Sequence, residues 1–245
     1  MKFLLSLLLC FSTLTFAEPI EFVVSASPGG PNDTVTRKIV ERLEKQTNLE
    51  FFVTNKPGAA HTIAYSYVMN ATKPTLLLST SEIENHEAFS QVNEVYNTGF
   101  FYNTIFVSKE FSKANAVTNL KQLAILSKHK DINFGHGGVG SYSHMAMQSL
   151  CNRTLKCLDV PYKSSAEGMM GLLTGTIDAY GIVSYGSKQF LANDKYVAIH
   201  SVYLDYNKSW FKLFSKNLSV KDKETIAKAL SNTDKKFYND MGLEK

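Results

Sequence analysis

The chain has 245 residues and a formal net charge of +4, from 26 basic and 22 acidic side chains. The charges are interspersed along the sequence rather than clustered, which argues against a nucleic-acid partner. Residues 18–245 are enough for two modest lobes or one large domain.

Residues 1–17 have the pattern of a cleavable secretory signal peptide. Lys2 gives the positive start, residues 3–11 form an apolar core, and residues 15–17 make a small-residue cleavage site. The apolar run is shorter than the roughly 20 residues of a membrane-spanning helix, which favours cleavage over anchoring. Cys10 lacks the small preceding residues of a lipid-attachment site. We therefore expect export to the periplasm.

The segment 28–33, Pro-Gly-Gly-Pro-Asn-Asp, follows an apolar run and precedes an amphipathic run over 34–46. This order predicts a strand, a tight glycine turn and a helix. The first N–H groups of such a helix lack intrahelical partners, and the helix dipole adds positive charge there, so the turn is an anion-binding candidate. Asp33 is interpreted either as a helix cap or as a ligand contact.

Strand-like and helix-like runs alternate along the rest of the chain. Further strands are predicted at 51–54, 75–79, 104–107, 123–126, 131–134, 158–160, 177–183 and 196–200. Further helices are predicted near 61–70, 142–150, 164–174, 220–230 and 234–242, with a short one ending at 189–192. The alternation predicts an α/β protein with largely parallel sheets, in which ligands bind beyond the carboxyl ends of the strands. The turns 26–33, 79–81 and 135–143 are expected to line one cleft.

Two cysteines follow the predicted signal peptide, Cys151 and Cys157. In an exported protein this spacing favours a disulfide that staples a short loop, the alternative being two free buried thiols. The six histidines show no metal-ligand spacing, so neither a metal nor a cofactor is predicted.

No sequence motif indicates catalysis. Ser184 lies in a segment that resembles part of a nucleophile elbow, but two residues separate it from Gly181, so the Gly-x-Ser-x-Gly spacing is not met. The glycines of residues 135–140 match neither a P-loop nor a dinucleotide fingerprint. The protein is therefore predicted not to be an enzyme. An exported hydrolase using Ser141, Ser143 or Ser184 is the alternative from a different class.

Four motifs occur in an order and spacing that resemble a known family. They are SPGGPND at 27–33, NKPGA at 55–59, GVGSYSH at 138–144, and VPYKSSA at 160–166 followed by GTID at 175–178. Together they resemble the extracytoplasmic solute receptors of the tripartite tricarboxylate transporter system, also called Bug-type receptors.

The resemblance implies a two-lobed, type II-like periplasmic-binding-protein fold with a ligand cleft between α/β lobes. Lobe 1 would contain residues 18–108 and 201–245, and lobe 2 residues 109–200. The implied function is a monomeric periplasmic receptor that captures a small carboxylate, either a di- or tricarboxylate or an acidic amino acid, for membrane permease subunits. A sensor that reports to a membrane kinase and a receptor that has lost its ligand are the alternatives within this fold.

In the family, backbone N–H groups of the first turn hold the ligand carboxylate, and the second lobe holds the far end. The contacts implied in lobe 1 are Ser27, Gly29, Gly30, Asn32, Asp33, Ala59, His61, Thr80 and Ser81. The contacts implied in lobe 2 are Ser141, Ser143, His144, Tyr162, Lys163 and Ser164. His144 is also compatible with a structural role, and Lys163 with a surface position. The chain departs from the pattern at His61, where a further glycine is usual nearby, and at the acidic residues Glu82 and Glu84.

Overall fold

The computed structural model describes residues 18–80, 90–199 and 208–245. The predicted signal peptide, together with Ser81, Glu82, Glu84 and His200, lies outside these ranges. The strands are β1 (Ile20–Val24), β2 (Phe51–Asn55), β3 (Thr75–Thr80), β4 (Asn93–Ser108), β5 (Ile132–His136), β6 (Cys157–Pro161), β7 (Ala179–Val183), β8 (Tyr196–Ile199) and β9 (Lys208–Lys216). The α-helices are α1 (Pro31–Gln46), α2 (Thr62–Met69), α3 (Lys109–Asn115), α4 (Leu120–Ser127), α5 (Tyr142–Arg153), α6 (Ser165–Leu173), α7 (Ser184–Leu191), α8 (Val220–Ser231) and α9 (Lys235–Asp240), and a 3₁₀ turn spans Ala59–His61.

The strands of the described ranges form one continuous sheet in the order β2-β1-β3-β9-β4-β7-β5-β6, with β8 also paired to β4. The pairs β1–β2, β1–β3, β5–β6 and β5–β7 are parallel. All four remaining pairs involve β4 or β9 and are antiparallel. The sheet is therefore mixed, and the expectation of largely parallel sheets holds only for the outer strands of each half.

Strand β4 joins the two halves of the sheet. Its first part, from Asn93 to Tyr102, pairs with β9, and its last part, from Asn103 to Ser108, pairs with β7 and β8. Strand β4 therefore contributes hydrogen bonds to both halves of the sheet. The predicted lobe boundary at residue 108 stays a prediction.

Each half has its own hydrophobic core. Helices α1 and α8 pack on the first half around buried Phe22, Leu43 and Leu230. Helices α4 and α5 cover one face of the second half around Phe134 and Leu150. Burying an aliphatic or aromatic side chain of this size contributes about 1.5–3 kcal/mol, so both cores stabilise the sheet that positions the turns at its edge.

The predicted Cys151–Cys157 disulfide is present and ties the end of α5 to the start of β6. Among the described residues, no helix combines the length and the apolar character needed to cross a bilayer.

One predicted strand is wrong, because residues 123–126 belong to helix α4. The side chain of Asn119 caps this helix by accepting a hydrogen bond from the Gln122 N–H, at 3.0 Å. Only Leu123 and Ser127 of the helix are buried, which is the i, i+4 spacing of one helix face rather than the alternation of a strand. The sequence reasoning also missed α3, β9 and the first half of β4.

Candidate functional site

A cleft of about 850 Å³ opens between the two halves of the molecule. The first half lines it with residues 25–31 at the start of α1 and with Pro57, Gly58, Ala59 and His61 before α2. The second half lines it with Gly137, Val139 and Ser141 and with residues 163–166 at the start of α6. The starts of α1, α2, α5 and α6 therefore border one cavity, and residues of the predicted turns 26–33 and 135–143 are among those that line it.

The turn before α1 is held by its own hydrogen bonds. Gly29 has a φ of 75°, a conformation that glycine adopts without steric cost. Its N–H donates to Asp33 Oδ2 at 2.9 Å, and the Gly30 N–H donates to the Ser27 carbonyl at 3.1 Å. The N–H groups of both glycines are therefore paired within the turn, although both residues line the cleft. Within the described part of the chain, the unpaired donors at this helix start are the N–H groups of Asn32 and Asp33.

Asp33 organises this turn from below the surface. It is 3% exposed, and its carboxylate also accepts hydrogen bonds from Arg37 Nε and Asn55 Nδ2, each at 2.9 Å. Burial acts to raise the pKa of Asp33, but the hydrogen bonds from Arg37, Gly29 and Asn55 together hold it below its ordinary value. The predicted helix cap is wrong, because Gly30 is the N-cap of α1 and Asp33 is the third residue of the helix. The carboxylate instead reaches back from the first helical turn to the Gly29 N–H.

His61 lies at the cleft in a left-handed conformation, with a φ of 74°. Its Nδ1 is 3.0 Å from the Ser25 carbonyl oxygen, which can only accept a hydrogen bond, so Nδ1 carries a proton. The ring is thereby fixed beside the end of β1. In the neutral form its Nε2 is left as an acceptor.

The starts of α5 and α6, which border the cleft from the second half, are capped by serines. Ser141 Oγ accepts from the His144 N–H and Ser164 Oγ accepts from the Glu167 N–H, both at 3.2 Å. The N–H groups of Ser165 and Ala166, at the cleft, make no hydrogen bond within the described residues. The start of α6 therefore presents unpaired donors across the cavity from α1.

The predicted contacts divide into two groups. Those that line the cleft are Ser27, Gly29, Gly30, Ala59, His61, Ser141, Lys163 and Ser164. Those that do not line it, and whose contact with a ligand stays a prediction, are Asn32, Asp33, Ser143, His144 and Tyr162. Thr80 ends β3, and its contact with a ligand stays a prediction.

The second group supports the cleft wall instead. Asn32 Oδ1 accepts from Tyr185 OH at 2.6 Å, and Ser143 Oγ accepts from the Gly137 N–H at 3.1 Å. Tyr162 packs edge-on against Tyr180, with ring centroids 6.0 Å apart.

The lining carries more positive than negative charge. Lys38, Lys163 and Lys188 contribute three cations against the single carboxylate of Asp240. Lys188 donates to the Asn239 and Asp240 carbonyls, at 3.0 and 3.2 Å. Neither Lys38 nor Lys163 has an ion-pair partner within 4 Å among the described residues. Lys38 was missed, although it follows Pro31, Thr34 and Val35 at helical spacing.

Tyr180 is a second residue that sequence reasoning missed. Its side chain is fully buried on β7, and its hydroxyl has no hydrogen-bond partner within the described residues. Burial raises its pKa to about 12, and the nearby Ser165 side chain offsets part of the rise without forming a hydrogen bond to it. The hydroxyl also lies near Gly137, so a neutral donor sits directly behind two residues that line the cleft.

Ser184 does not have the environment of a nucleophile. Its Oγ donates to the Gly242 carbonyl at 2.8 Å. His144, which is close in sequence to Ser141 and Ser143, uses both ring nitrogens elsewhere, with Gly140 and Asp159. In the described ranges, none of the three candidate serines has a histidine ring as a hydrogen-bond partner.

Comparison with known proteins supports the family indicated by the motifs. No family model matches the chain. Among curated proteins, a UPF0065 protein of Bordetella pertussis is 22% identical over 201 residues, and one from the TAR-I ttuE-ttuC' intergenic region of Agrobacterium vitis is 25% identical over 177 residues. These matches cover 75% and 66% of this chain, but only 60% and 50% of the respective relatives. The chain thus spans about half to three-fifths of the relatives it matches.

Solved structures of similar fold cover nearly the whole chain. The periplasmic binding protein BugD aligns with a TM-score of 0.74 and 22% identity, over 92% of this chain and 87% of its own. The structure titled R. palustris Rpa4515 with adipate aligns with a TM-score of 0.78 and 19% identity, over 92% and 88%. The resemblance to Bug-type receptors is confirmed. The two-lobed binding-protein fold of the Bug-type receptors is likewise confirmed, and BugD is by its name a binding protein rather than an enzyme.

Proposed function

We propose that this protein is a periplasmic solute-binding receptor that captures a small carboxylate in the cleft between its lobes and delivers it to a tripartite tricarboxylate-type permease. The observation that carries this proposal is the unpaired backbone N–H groups at two helix starts on opposite sides of one cleft. On α6 they belong to Ser165 and Ala166, which line the cleft, and on α1 they belong to Asn32 and Asp33, which directly follow the lining residues Gly30 and Pro31.

Such donors suit a carboxylate because helix starts carry partial positive charge and their N–H groups need acceptors. Hydrogen bonds to a charged group are each worth about 1.5–3 kcal/mol, more than neutral ones. A ligand with two acidic ends would engage both helix starts at once, with Lys38 and Lys163 adding attraction. A dicarboxylate is therefore the ligand class that the cleft favours.

The comparisons support this class without naming the ligand. One similar structure is titled with adipate, and another, MatC from Rhodopseudomonas palustris, with bound malate. The MatC structure has a TM-score of 0.70 and 19% identity, over 91% of this chain and 88% of its own. Adipate and malate both have two carboxylates, which agrees with two donor sets across the cleft.

The test removes one backbone donor while keeping the helix. Ser165→Pro deletes the N–H at the first position of α6, where proline is well tolerated because Ser164 is already extended. We expect the affinity for malate or adipate, measured by calorimetry, to fall about tenfold. Ser165→Ala, which keeps the N–H, separates the backbone donor from the hydroxyl.

Val220→Pro is the matched control. It places proline at the first position of α8, also after a capping serine, Ser219. Val220 does not line the cleft, so the affinity of the Val220→Pro variant for the same ligand should be unchanged. An equal loss in both proline variants, or no binding by the unmodified protein across a panel of di- and tricarboxylates and acidic amino acids, would contradict the proposal.

A further inference from the structure

Beneath the cleft-lining loop 137–140, two histidines share one carboxylate. His136 Nε2 is 2.5 Å from Asp159 Oδ1, and His144 Nε2 is 3.1 Å from Asp159 Oδ2. The histidines come from β5 and α5, and the aspartate from β6. Both rings are buried, whereas the Asp159 side chain is 45% exposed. No motif of the sequence predicted this cluster.

The hydrogen bonds of His144 fix where its proton lies. Its Nδ1 accepts from the Gly140 N–H at 3.0 Å, and a backbone N–H can only donate. Nδ1 must therefore be unprotonated. The single proton of the neutral ring is on Nε2, which donates to Asp159.

The partners of His136 require a different state. Its Nδ1 is 3.1 Å from the Gly138 carbonyl oxygen, an acceptor, so Nδ1 carries a proton. Its Nε2 faces a carboxylate oxygen, so one proton must lie between Nε2 and Asp159. The partial burial of Asp159 acts to raise its pKa, but the hydrogen bonds and charges of the two histidines hold that pKa below its ordinary value. The carboxylate is therefore the ionised partner, and the proton belongs to His136.

We propose that His136 is an imidazolium paired with Asp159, and that this ion pair, together with neutral His144, fixes the cleft-lining loop 137–140. The two rings hold the loop at two backbone points, the Gly138 carbonyl and the Gly140 N–H. Gly137 and Val139 of this loop line the cleft. The three side chains act as positioning residues and do not line the cleft themselves.

The same three residues have ligand atoms within 4.8 Å of one another, the spacing of a metal site. A metal needs an unprotonated nitrogen from each histidine. The Gly140 N–H already occupies the Nδ1 lone pair of His144 and leaves its Nε2 protonated toward Asp159. The hydrogen bonds of the cluster therefore require protonated ring nitrogens facing Asp159, which does not fit a metal ion bound by all three side chains.

The other titratable groups near the cluster do not replace its charges. Asp159 on β6 and His144 on α5 are the titratable side chains in contact with His136, and Asp159 itself responds only to the two histidines. On the neighbouring β7, Tyr180 is neutral because burial raises its pKa to about 12. The α6 carboxylate of Glu167 raises the pKa values of Tyr162 and Tyr180 and is not among the causes that shift the pKa of Asp159.

The protonation states can be tested without any ligand. In ¹⁵N-labelled protein at pH 7, long-range proton–nitrogen spectra should show both ring nitrogens of His136 protonated and only Nε2 of His144 protonated. In Asp159→Asn, the amide can donate to His136 Nε2 and still accept from His144, so His136 should become neutral without losing a hydrogen bond. An unprotonated ring nitrogen on His136 in the unmodified protein would overturn the inference. So would a shift of both histidines on stoichiometric binding of Zn²⁺ alone.

The effect on the loop is tested with the same variant. Amide hydrogen exchange at Gly140 should become about fivefold faster in Asp159→Asn, because a neutral hydrogen bond replaces a charge-assisted one that is about twice as strong. The matched control is Asp178→Asn, which removes another aspartate of the second half, paired with Lys130 and the Asn133 N–H. Exchange at Gly140 should be unchanged in this control, and an equal acceleration in both variants would overturn the positioning role.

The consequence for binding rests on the proposed function. Malate affinity should fall about tenfold in Asp159→Asn, a typical size for coupling between separated sites, and remain unchanged in Asp178→Asn. If the unmodified protein binds no carboxylate, the proposed function fails while the spectra and the exchange rates still decide this inference. If the unmodified protein binds malate and Asp159→Asn binds it equally well, the claim that the cluster positions the loop 137–140 for binding is overturned, while the proposed function stands.

Discussion

Both lobes hold a glycine-containing segment against the cleft with a carboxylate, but the cations that balance the two carboxylates differ. In the first lobe, buried Asp33 pairs with Arg37, whose guanidinium stays charged at every accessible pH. In the second, half-exposed Asp159 pairs with His136, a residue type that titrates near neutrality. The cation of the first support is therefore permanent, whereas the cation of the second depends on keeping one proton.

The largest expected difference between the two supports comes from deleting the buried carboxylate of Asp33. Asp33→Ala removes the acceptor of three hydrogen bonds from a side chain that is 3% exposed, and should lower the free energy of unfolding by about 3 kcal/mol. Urea unfolding measures this. Asp222→Ala is the matched control, since Asp222 is also the third residue of a helix but is only partly buried. It should cost about 0.5–1 kcal/mol, and equal losses would show that Asp33 is an ordinary first-turn residue.

Acidification should weaken both supports, with the first contributing more. The pKa values of Asp33 and Asp159 are both lowered by folding, so each carboxylate adds stability above its unfolded pKa of about 4, and this is lost as the pH falls through the folded value. Urea midpoints should therefore drop below pH 4. Asp33→Asn should reduce that drop, and Asp159→Asn should reduce it less because Asp159 is half exposed. A larger reduction in Asp159→Asn would reverse the comparison.

The smallest expected change concerns a hydroxyl rather than a charge. Tyr180→Phe removes a buried hydroxyl without a partner in the described residues, so stability should change by less than about 0.5 kcal/mol. Affinity for malate should be unchanged, because the hydroxyl is buried behind Gly137 and does not line the cleft. Tyr238→Phe is the opposite control, because its hydroxyl donates to the Leu230 carbonyl at 2.7 Å. It should cost about 1 kcal/mol of stability and leave affinity unchanged.

Local signals in the sequence predicted much of this architecture. The turn at 28–33, the helix after it and the disulfide were all predicted from short segments, because glycine, proline and cysteine restrict the backbone strongly. Helix α4 was mistaken for a strand because its run Leu-Ala-Ile-Leu is apolar throughout and too short to show a period. Strand β9 was missed because its serines and lysines hide the alternation.

The candidate site was predictable only where the backbone itself is the binding group. Which N–H groups are engaged depends on side chains such as Asp33, whose reach back to Gly29 no spacing revealed. The His136–Asp159–His144 cluster depends on the register of β5 with β6, where Phe134 lies opposite Asp159. His144 and His136 lie 15 and 23 positions before Asp159, and both contact it in the folded chain. The sequence of neither strand alone specifies the register that brings them together.

The sixteen-residue strand β4 has a mechanical consequence. It runs without a break from one sheet half into the other, and its pairing with β9 is irregular between Glu94 and Tyr96 and again between Asn97 and Gly99. The C-terminal residues brace it there, through two hydrogen bonds of 2.8 Å between Phe100 and Glu244. Any rotation of one lobe against the other must therefore bend β4, and the hydrogen bonds between Phe100 and Glu244 resist that bending.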